Sequence, residues 1–189
     1  MNMNTWNLIL SDQKRFGKRI GVVGLYRIFT STSFRITFWY RIGHYLIETG
    51  GWRKRIFLPI VRFIHHRNSL KTGIQLDLKT KVGEALLFAH FSDIVVNSHT
   101  IIGNNVTIAN GVTIGWNPAK SPQSPVIGDN CVISAGSKVI GPVTLGNNCM
   151  IGVNSVVTKS LPDGSVFAGG KVLSLNGVEY VKDFSVLHY

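Results

Sequence analysis

Between residues 73 and 170 the side chains best suited to chemistry are two histidines, His90 and His99, and two cysteines, Cys131 and Cys149. A free imidazole titrates near pH 6.5, so at neutral pH most of it is uncharged and able to accept a proton from an attacking hydroxyl. His90 is the candidate for such a base. It stands two positions after Phe88, a member of an inward-facing series, so its own side chain is expected to point outward. A zinc centre needs three or four ligands, and two histidines are too few unless His65 or His66 reaches across; no metal and no resident cofactor is expected. The cysteines are 149 − 131 = 18 residues apart and read as small buried fillers, not as reactive thiols. Two cysteines make no disulfide framework, which points to a reducing, cytoplasmic compartment.

What must position these groups is a repeat. From Leu76 a large aliphatic or aromatic residue recurs every six positions, at Leu76, Val82 and Phe88, and after a two-residue slip at Val96, Ile102, Ile108 and Ile114. A ten-residue interruption, Trp116–Pro125, follows. The series resumes at Ile127, Ile133, Val139, Leu145, Ile151 and Val157. Four residues after members of the series sit small or aliphatic side chains such as Thr100, Val112, Cys131, Ser137, Cys149 and Ser155, with Gly and Asn between. A helix would repeat near 3.6 and an amphipathic strand near 2, so a period of six excludes both as the main element. Six residues suit a short strand and a tight corner at which Gly or Asn tolerates positive φ. Three such units close a triangular coil of about eighteen residues, and coils stack through backbone hydrogen bonds at roughly 4.8 Å. The expected fold is therefore mainly β, a parallel β-helix over residues 73–170.

The flanks differ in character. Residues 1–72 carry 13 Lys+Arg against 2 Asp+Glu, and residues 73–189 carry 7 and 7, so the first segment holds the whole net charge of +11. It reads as helical, with Ser11-Asp12 and Ser33 as N-caps. Phe34, Phe38, Ile42, Tyr45 and Leu46 follow at helical spacing, and a further helix over Trp52–His66 is expected to kink or split at Pro59. The aromatic stripe is expected to pack against the first coils. No secretory leader and no membrane span is expected, because Leu8–Leu10 is too short and the other apolar runs are broken by Arg27, Pro59 and Arg62. A basic, aromatic segment suits an anionic membrane surface, a nucleic acid or an acidic ligand. Of these, peripheral contact with the inner face of a membrane through residues 1–72 is expected and nucleic acid is not; packing or trimerisation is the competing use. At the far end, residues 171–189, Val172–Leu175 and Val178–Val181 flank Asn176-Gly177, which predicts a terminal hairpin covering the open end.

The hexads resemble those of the hexapeptide acyltransferases, which implies a left-handed β-helix. The run Gly73-Ile74-Gln75-Leu76 through Lys81-Val82-Gly83, with Phe88-Ala89-His90, Val106-Thr107-Ile108 and Gly111-Val112-Thr113-Ile114-Gly115, resembles the serine acetyltransferases without a gap. The colanic-acid and capsular-polysaccharide O-acetyltransferases are read as the nearest relatives, since they share a short helical N-terminal part and a glutamine at the place of Gln75. The resemblance implies an acetyl-CoA-dependent O-acetyltransferase with His90 as general base, and a cyclic homotrimer whose sites lie between neighbouring prisms. In the serine enzymes an aspartate stands at the place of Ala89, another at Gln75 and a histidine at Ser124. These three departures make the expected acceptor a sugar hydroxyl, on a glycan, nucleotide sugar or lipid-linked sugar of exopolysaccharide or capsule biosynthesis. Serine or another small molecule is the alternative.

Gln75, Asp77, Asp93 or a backbone carbonyl could orient the His90 ring. By the same resemblance, Gly115 and Trp116 lie beside the thioester. Ser134, Ala135, Gly136, Gly152 and Val153 form the wall for the pantetheine arm, and Lys138, Lys159 and Lys171 are candidates for the nucleotide phosphates. The interruption, through Trp116, Asn117, Lys120 and Ser124, is expected to border the acceptor pocket. A carbonic anhydrase and an ice-binding β-helix are the rival classes. The first lacks a third histidine; the second is at odds with the loop break and the lone outward histidine.

Overall fold

The computed structural model describes residues 4–16, 23–116 and 123–175. Helices α1 (Thr5–Lys14), α2 (Arg27–Thr30), α3 (Thr32–Thr49) and α4 (Gly51–Thr72) come first, with a 3₁₀ turn at Val23–Tyr26 ahead of α2. Strands of two to four residues follow, the first twelve in threes with one to each face of a prism. Face 1 stacks β1 (Ile74–Leu76), β4 (Ile94–Val96), β7 (Thr113–Gly115), β10 (Lys138–Ile140) and β13 (Val156–Val157). Face 2 stacks β2 (Lys81–Val82), β5 (Ile101–Ile102), β8 (Val126–Ile127) and β11 (Thr144–Leu145). Face 3 stacks β3 (Leu87–Phe88), β6 (Thr107–Ile108), β9 (Val132–Ile133), β12 (Met150–Ile151), β14 (Val166–Ala168) and β15 (Lys171–Ser174). Every pairing is parallel except β14 with β15.

The register explains the pattern of the hexads. Leu76, Phe88, Val96 and the later members through Val157 are all buried, and Val82 partly so. At about 1.5–3 kcal/mol for each large apolar side chain buried, this column supplies most of the drive to coil. The small slot fills the corners: Thr100, Val112, Cys131, Ser137, Cys149 and Ser155 are buried. Cys131 and Cys149 stack one coil apart, and their shared hydrogen bond, together with burial, pushes the Cys131 thiol well up, which keeps it protonated. At the corner between faces 2 and 3, Asn105, Asn130 and Asn148 all adopt φ near +55°. Their side chains form a ladder, Asn105 Nδ2 donating to Asn130 Oδ1 at 2.9 Å and Asn130 Nδ2 to Asn148 Oδ1 at 3.2 Å.

The helices close the lower end. An open coil would leave a row of backbone groups without partners. Here Ser33 Oγ donates to the Phe88 carbonyl, Tyr40 Oη to that of Thr80, and Arg41 to those of Val82 and Gly83. Asp12 accepts from Leu86 N and is paired with Arg41 at 2.9 Å, both side chains being buried. Ser11 and Asp12, expected as a cap, therefore lie inside α1, whose N-cap is Asn4; and α3 is capped by Ser31, while Ser33 serves the coil. Pro59 neither splits nor ends α4, which runs unbroken through it, because Pro59 and Arg55 are exposed where solvent can take the missing bond. At the upper end the hairpin turns at Gly169-Gly170, both at positive φ, and not at Asn176-Gly177, which with Val178–Val181 lies outside the described residues.

Candidate active site

Between face 3 and face 1 each coil turns a corner, and the corners stack into one edge of the prism: residues 89–93, 109–112, 134–137 and 152–155. Face 1 advances by 20 residues from Ile74 to Ile94, but by 18 from Val95 to Thr113 and from Lys138 to Val156. The two extra residues lie in the first of these corners. Its flanks are pinned: Ala89 N donates to the Ile108 carbonyl at 2.9 Å, Gly111 N to that of Ser92 at 2.8 Å, and Ile94 N to that of Gly73 at 3.1 Å. The chain between these points bulges outward. His90 lies there with φ +68° and is exposed, while Ala89 before it is buried. Positive φ at a non-glycine residue costs on the order of 1 kcal/mol, so the fold spends stability to present this ring.

The cavity beside His90 has a volume of about 540 Å³. Its walls come from both parts of the molecule: Leu87, Phe88 and Phe91 from the corner and β3, Phe16 and Arg27 from the helical layer, and the Thr30–Ser33 stretch that leads into α3. Arg27 is held by two backbone carbonyls, Nη2 donating to Phe16 O at 2.7 Å and Nη1 to Gln13 O at 3.4 Å. A larger cleft of about 1110 Å³ lies between α4 and the lower strands of face 1 and includes Gln75 and Asp77, but His90 does not line it. Chemistry needs the base at the pocket wall, so the smaller cavity is the candidate site.

The expected orienting residues separate. Asp93 shares the corner with His90, at φ +50°, and accepts from Ser92 Oγ at 2.6 Å. Gln75 is exposed on β1, paired with Val95 of the strand that the corner enters. Asp77 lies past the other end of β1, where it accepts from Lys79 N at 2.7 Å and holds a turn.

The expected wall also divides. Ser134, Ala135, Gly136, Gly152 and Val153 stack directly along the His90 edge, with Asn154 N donating to the Ala135 carbonyl at 2.9 Å and Gly152 N to that of Phe167 at 2.7 Å. Lys138, at the start of β10, turns its ammonium to the Gly111 carbonyl at 2.5 Å. Gly115, Trp116, Ser124 and Lys159 instead belong to the edge between faces 1 and 2, and Ser124 Oγ donates to Asn97 Oδ1 at 2.9 Å. Lys171 is exposed at the start of β15. Asn117 and Lys120 lie outside the described residues. Sequence reasoning missed Phe16, Arg27 and the Thr30–Ser33 stretch. They carry no repeat or motif, and only their chain-distant docking on β3 brings them to the histidine.

Residues 124–159 match the family model described as bacterial transferase hexapeptide, six repeats. A serine acetyltransferase of Helicobacter pylori is 35% identical over 137 residues, covering 72% of this chain and 77% of the relative. The crystal structure of the Neisseria gonorrhoeae serine acetyltransferase superposes with a TM-score of 0.74 at 25% identity, over 90% of this chain and 65% of that one, so this chain spans just under two thirds of its length. A serine acetyltransferase solved in complex with CoA superposes with a TM-score of 0.69 at 26% identity, over 88% of this chain and 67% of that one. The likeness fixes the hand of the coils as left-handed.

These relatives overturn the sugar hydroxyl of capsule or exopolysaccharide biosynthesis as the expected acceptor; they are serine enzymes. The inference from residue types fails for a structural reason. Ala89 is buried and Ser124 is tied to Asn97 on another edge, so neither shapes the cavity beside His90 within the chain.

Proposed function

We propose that this chain, which belongs to the serine acetyltransferase family and is an acyltransferase built on hexapeptide repeats, acetylates the hydroxyl of serine or of another small molecule, with acetyl-CoA as donor. The observation that carries the reading is the bulged corner, which sets an exposed imidazole at the mouth of a cavity on a pinned backbone. His90 takes the acceptor proton as the hydroxyl oxygen attacks the thioester carbonyl. The tetrahedral intermediate then collapses, the carbon–sulfur bond breaks, and the departing thiolate recovers the proton from the imidazolium. A base so placed contributes roughly 10²–10⁴-fold, and the remainder comes from holding donor and acceptor together. Asp93, which shares the corner, is the first candidate to orient the ring, with Gln75, Asp77 or a backbone carbonyl as the alternatives.

The pantetheine arm is assigned to the smooth edge of Ser134, Ala135, Gly136, Gly152 and Val153, in line with His90. Gly115, Trp116, Ser124 and Lys159 stand on the other edge. A cyclic homotrimer that sets one chain's His90 edge against the next chain's 1/2 edge would unite the two sets, and this separation supports the trimer. Incubating the protein with acetyl-CoA and L-serine tests the activity. Stoichiometric release of CoA thiol and O-acetylserine is the expected result, and release that is independent of any acceptor is the contrary one.

Contact with a membrane is a separate proposal. No helix among the described residues is long and apolar enough to cross one. On α4, however, Trp52, Ile56, Ile60, Phe63 and Leu70 form an exposed stripe at helical spacing, interrupted by Arg67 and flanked by Arg53, Arg55 and Arg62. This pattern suits the anionic interface of a bilayer. Co-sedimentation with phosphatidylglycerol vesicles should be lost in a Trp52→Ser/Phe63→Ser variant that keeps its oligomeric state. A change in oligomeric state instead would assign the stripe to a subunit contact.

A further inference from the structure

Helix α4 carries charge of one sign only: Arg53, Lys54, Arg55, Arg62, Arg67 and Lys71, with no Asp or Glu. Three of these cations, Lys54, Arg55 and Arg62, line a single cavity of about 630 Å³ at the turn from α3, together with Trp52, Leu58 and Pro59. No carboxylate lines it among the described residues, and none of the three cations has a hydrogen-bond or ion-pair partner there. Arg55 and Arg62 stand seven positions apart, two turns along one face, so both side chains reach the same space. Like charges around one small space repel, and an anion that enters relieves the repulsion. The apolar stripe begins at the same place. Trp52 lines the cavity and is also the first member of the exposed series that continues through Ile56, Ile60 and Phe63. The Arg53 guanidinium lies over the Trp52 ring, 5.6 Å from its centroid. An occupant that satisfies both features carries a compact anion joined to apolar chains.

We propose that this cavity is a headgroup site for a lipid that ends in a phosphomonoester, of the phosphatidic acid class. The inference rests on the membrane contact proposed for α4 and deepens it, from attraction to negative charge in general to recognition of one headgroup. A phosphomonoester presents three unblocked oxygens and carries up to two negative charges. The phosphodiester of phosphatidylglycerol has fewer of both. Each of the three cations takes an oxygen of the monoester, Arg55 and Arg62 through planar guanidinium forks and Lys54 through its ammonium. The acyl chains leave the cavity past Trp52, Ile56, Ile60 and Phe63, the surface that meets the bilayer interface.

The test co-sediments the full-length protein with phosphatidylcholine vesicles that contain either phosphatidic acid or phosphatidylglycerol, the two compositions being adjusted to the same zeta potential. Phosphatidic acid vesicles should bind roughly tenfold more tightly, the scale of one additional charge-assisted hydrogen bond. Arg55→Gln/Arg62→Gln should abolish that preference and leave the weaker binding to phosphatidylglycerol. Arg53→Gln/Arg67→Gln removes the same charge outside the cavity; it should weaken both lipids alike and keep the preference. Circular dichroism should show the helical content of the unmodified protein in both variants, since all four side chains are on the helix surface. Equal binding of the two lipids at matched potential, or a preference that survives in Arg55→Gln/Arg62→Gln, would overturn the headgroup site and leave the membrane contact standing. Sedimentation with neither composition would overturn the contact itself. Binding of glycerol 3-phosphate that depends on Arg55 and Arg62, in a protein that sediments with neither, would assign the site to a soluble phosphate and refute the lipid as its occupant.

Discussion

The coil gains two residues at the His90 corner and seven in the next coil, where face 1 advances 25 residues from Thr113 to Lys138 against the usual 18. The shorter insertion is held at both ends. Backbone bonds from Ala89, to Ser92 and from Ile94 hold it to the coils above and the layer below, and His90 takes positive φ to accommodate it. The longer one leaves the prism at Trp116 and returns at Pro125, on a different edge, with Ser124 fastened to Asn97. A regular scaffold thus offers two ways to break its own rhythm. A small bulge fixes one side chain in direction, whereas a long loop supplies surface. A base for proton transfer needs the first, because its reach is a single hydrogen bond.

Deleting His90 and Phe91 together restores the 18-residue step and should leave the β-helix folded. Acetyl transfer should fall by at least the roughly 10²–10⁴-fold that a positioned base contributes; a steady-state assay beside a melting curve checks both halves. Arg41→Met probes the layer that holds the cavity's other wall. It strands the buried Asp12 carboxylate, whose pKa burial already pushes up against the pull of Arg41. A loss of about 3–5 kcal/mol is expected for a broken buried pair, measured by urea denaturation. Replacing residues 117–122 with a short glycine linker should lower acceptor kcat/KM roughly tenfold through misplacement, with little change in melting temperature. The smallest effect is on pH dependence. His65 donates through Nε2 to the Leu76 carbonyl, and burial lowers its pKa, so the folded state binds this proton less readily than the unfolded chain. Stability from this site is full above the unfolded value of about 6.5 and is lost as pH falls below it. A His65→Gln variant should show a shallower acid loss in denaturation midpoints.

The hexads made the prism legible because one residue in six must face inward; the buried column from Leu76 to Val157 and the stacked Cys131 and Cys149 follow directly. The exposed His90 was legible for the same reason, as the outward member of a slipped repeat. Caps were not. Ser11, Asp12 and Ser33 have cap-forming side chains, but tertiary demands from Ala85, Leu86 and Phe88 at the open coil claim them. The pocket wall was hidden because Arg27 and His90 come to one cavity through docking between segments 63 positions apart, and no local spacing encodes that. Acceptor identity was misread because residue types at Ala89 and Ser124 were weighed without knowing which way those positions face.

The central claim, that the bulged corner presents a catalytic imidazole, is tested most directly by His90→Ala in parallel measurements of acetyl-CoA affinity and single-turnover acetyl transfer to L-serine. Affinity for the donor should be unchanged and the transfer rate lower by roughly two to four orders of magnitude. Transfer at near the unmodified rate, with donor bound as before, would contradict it.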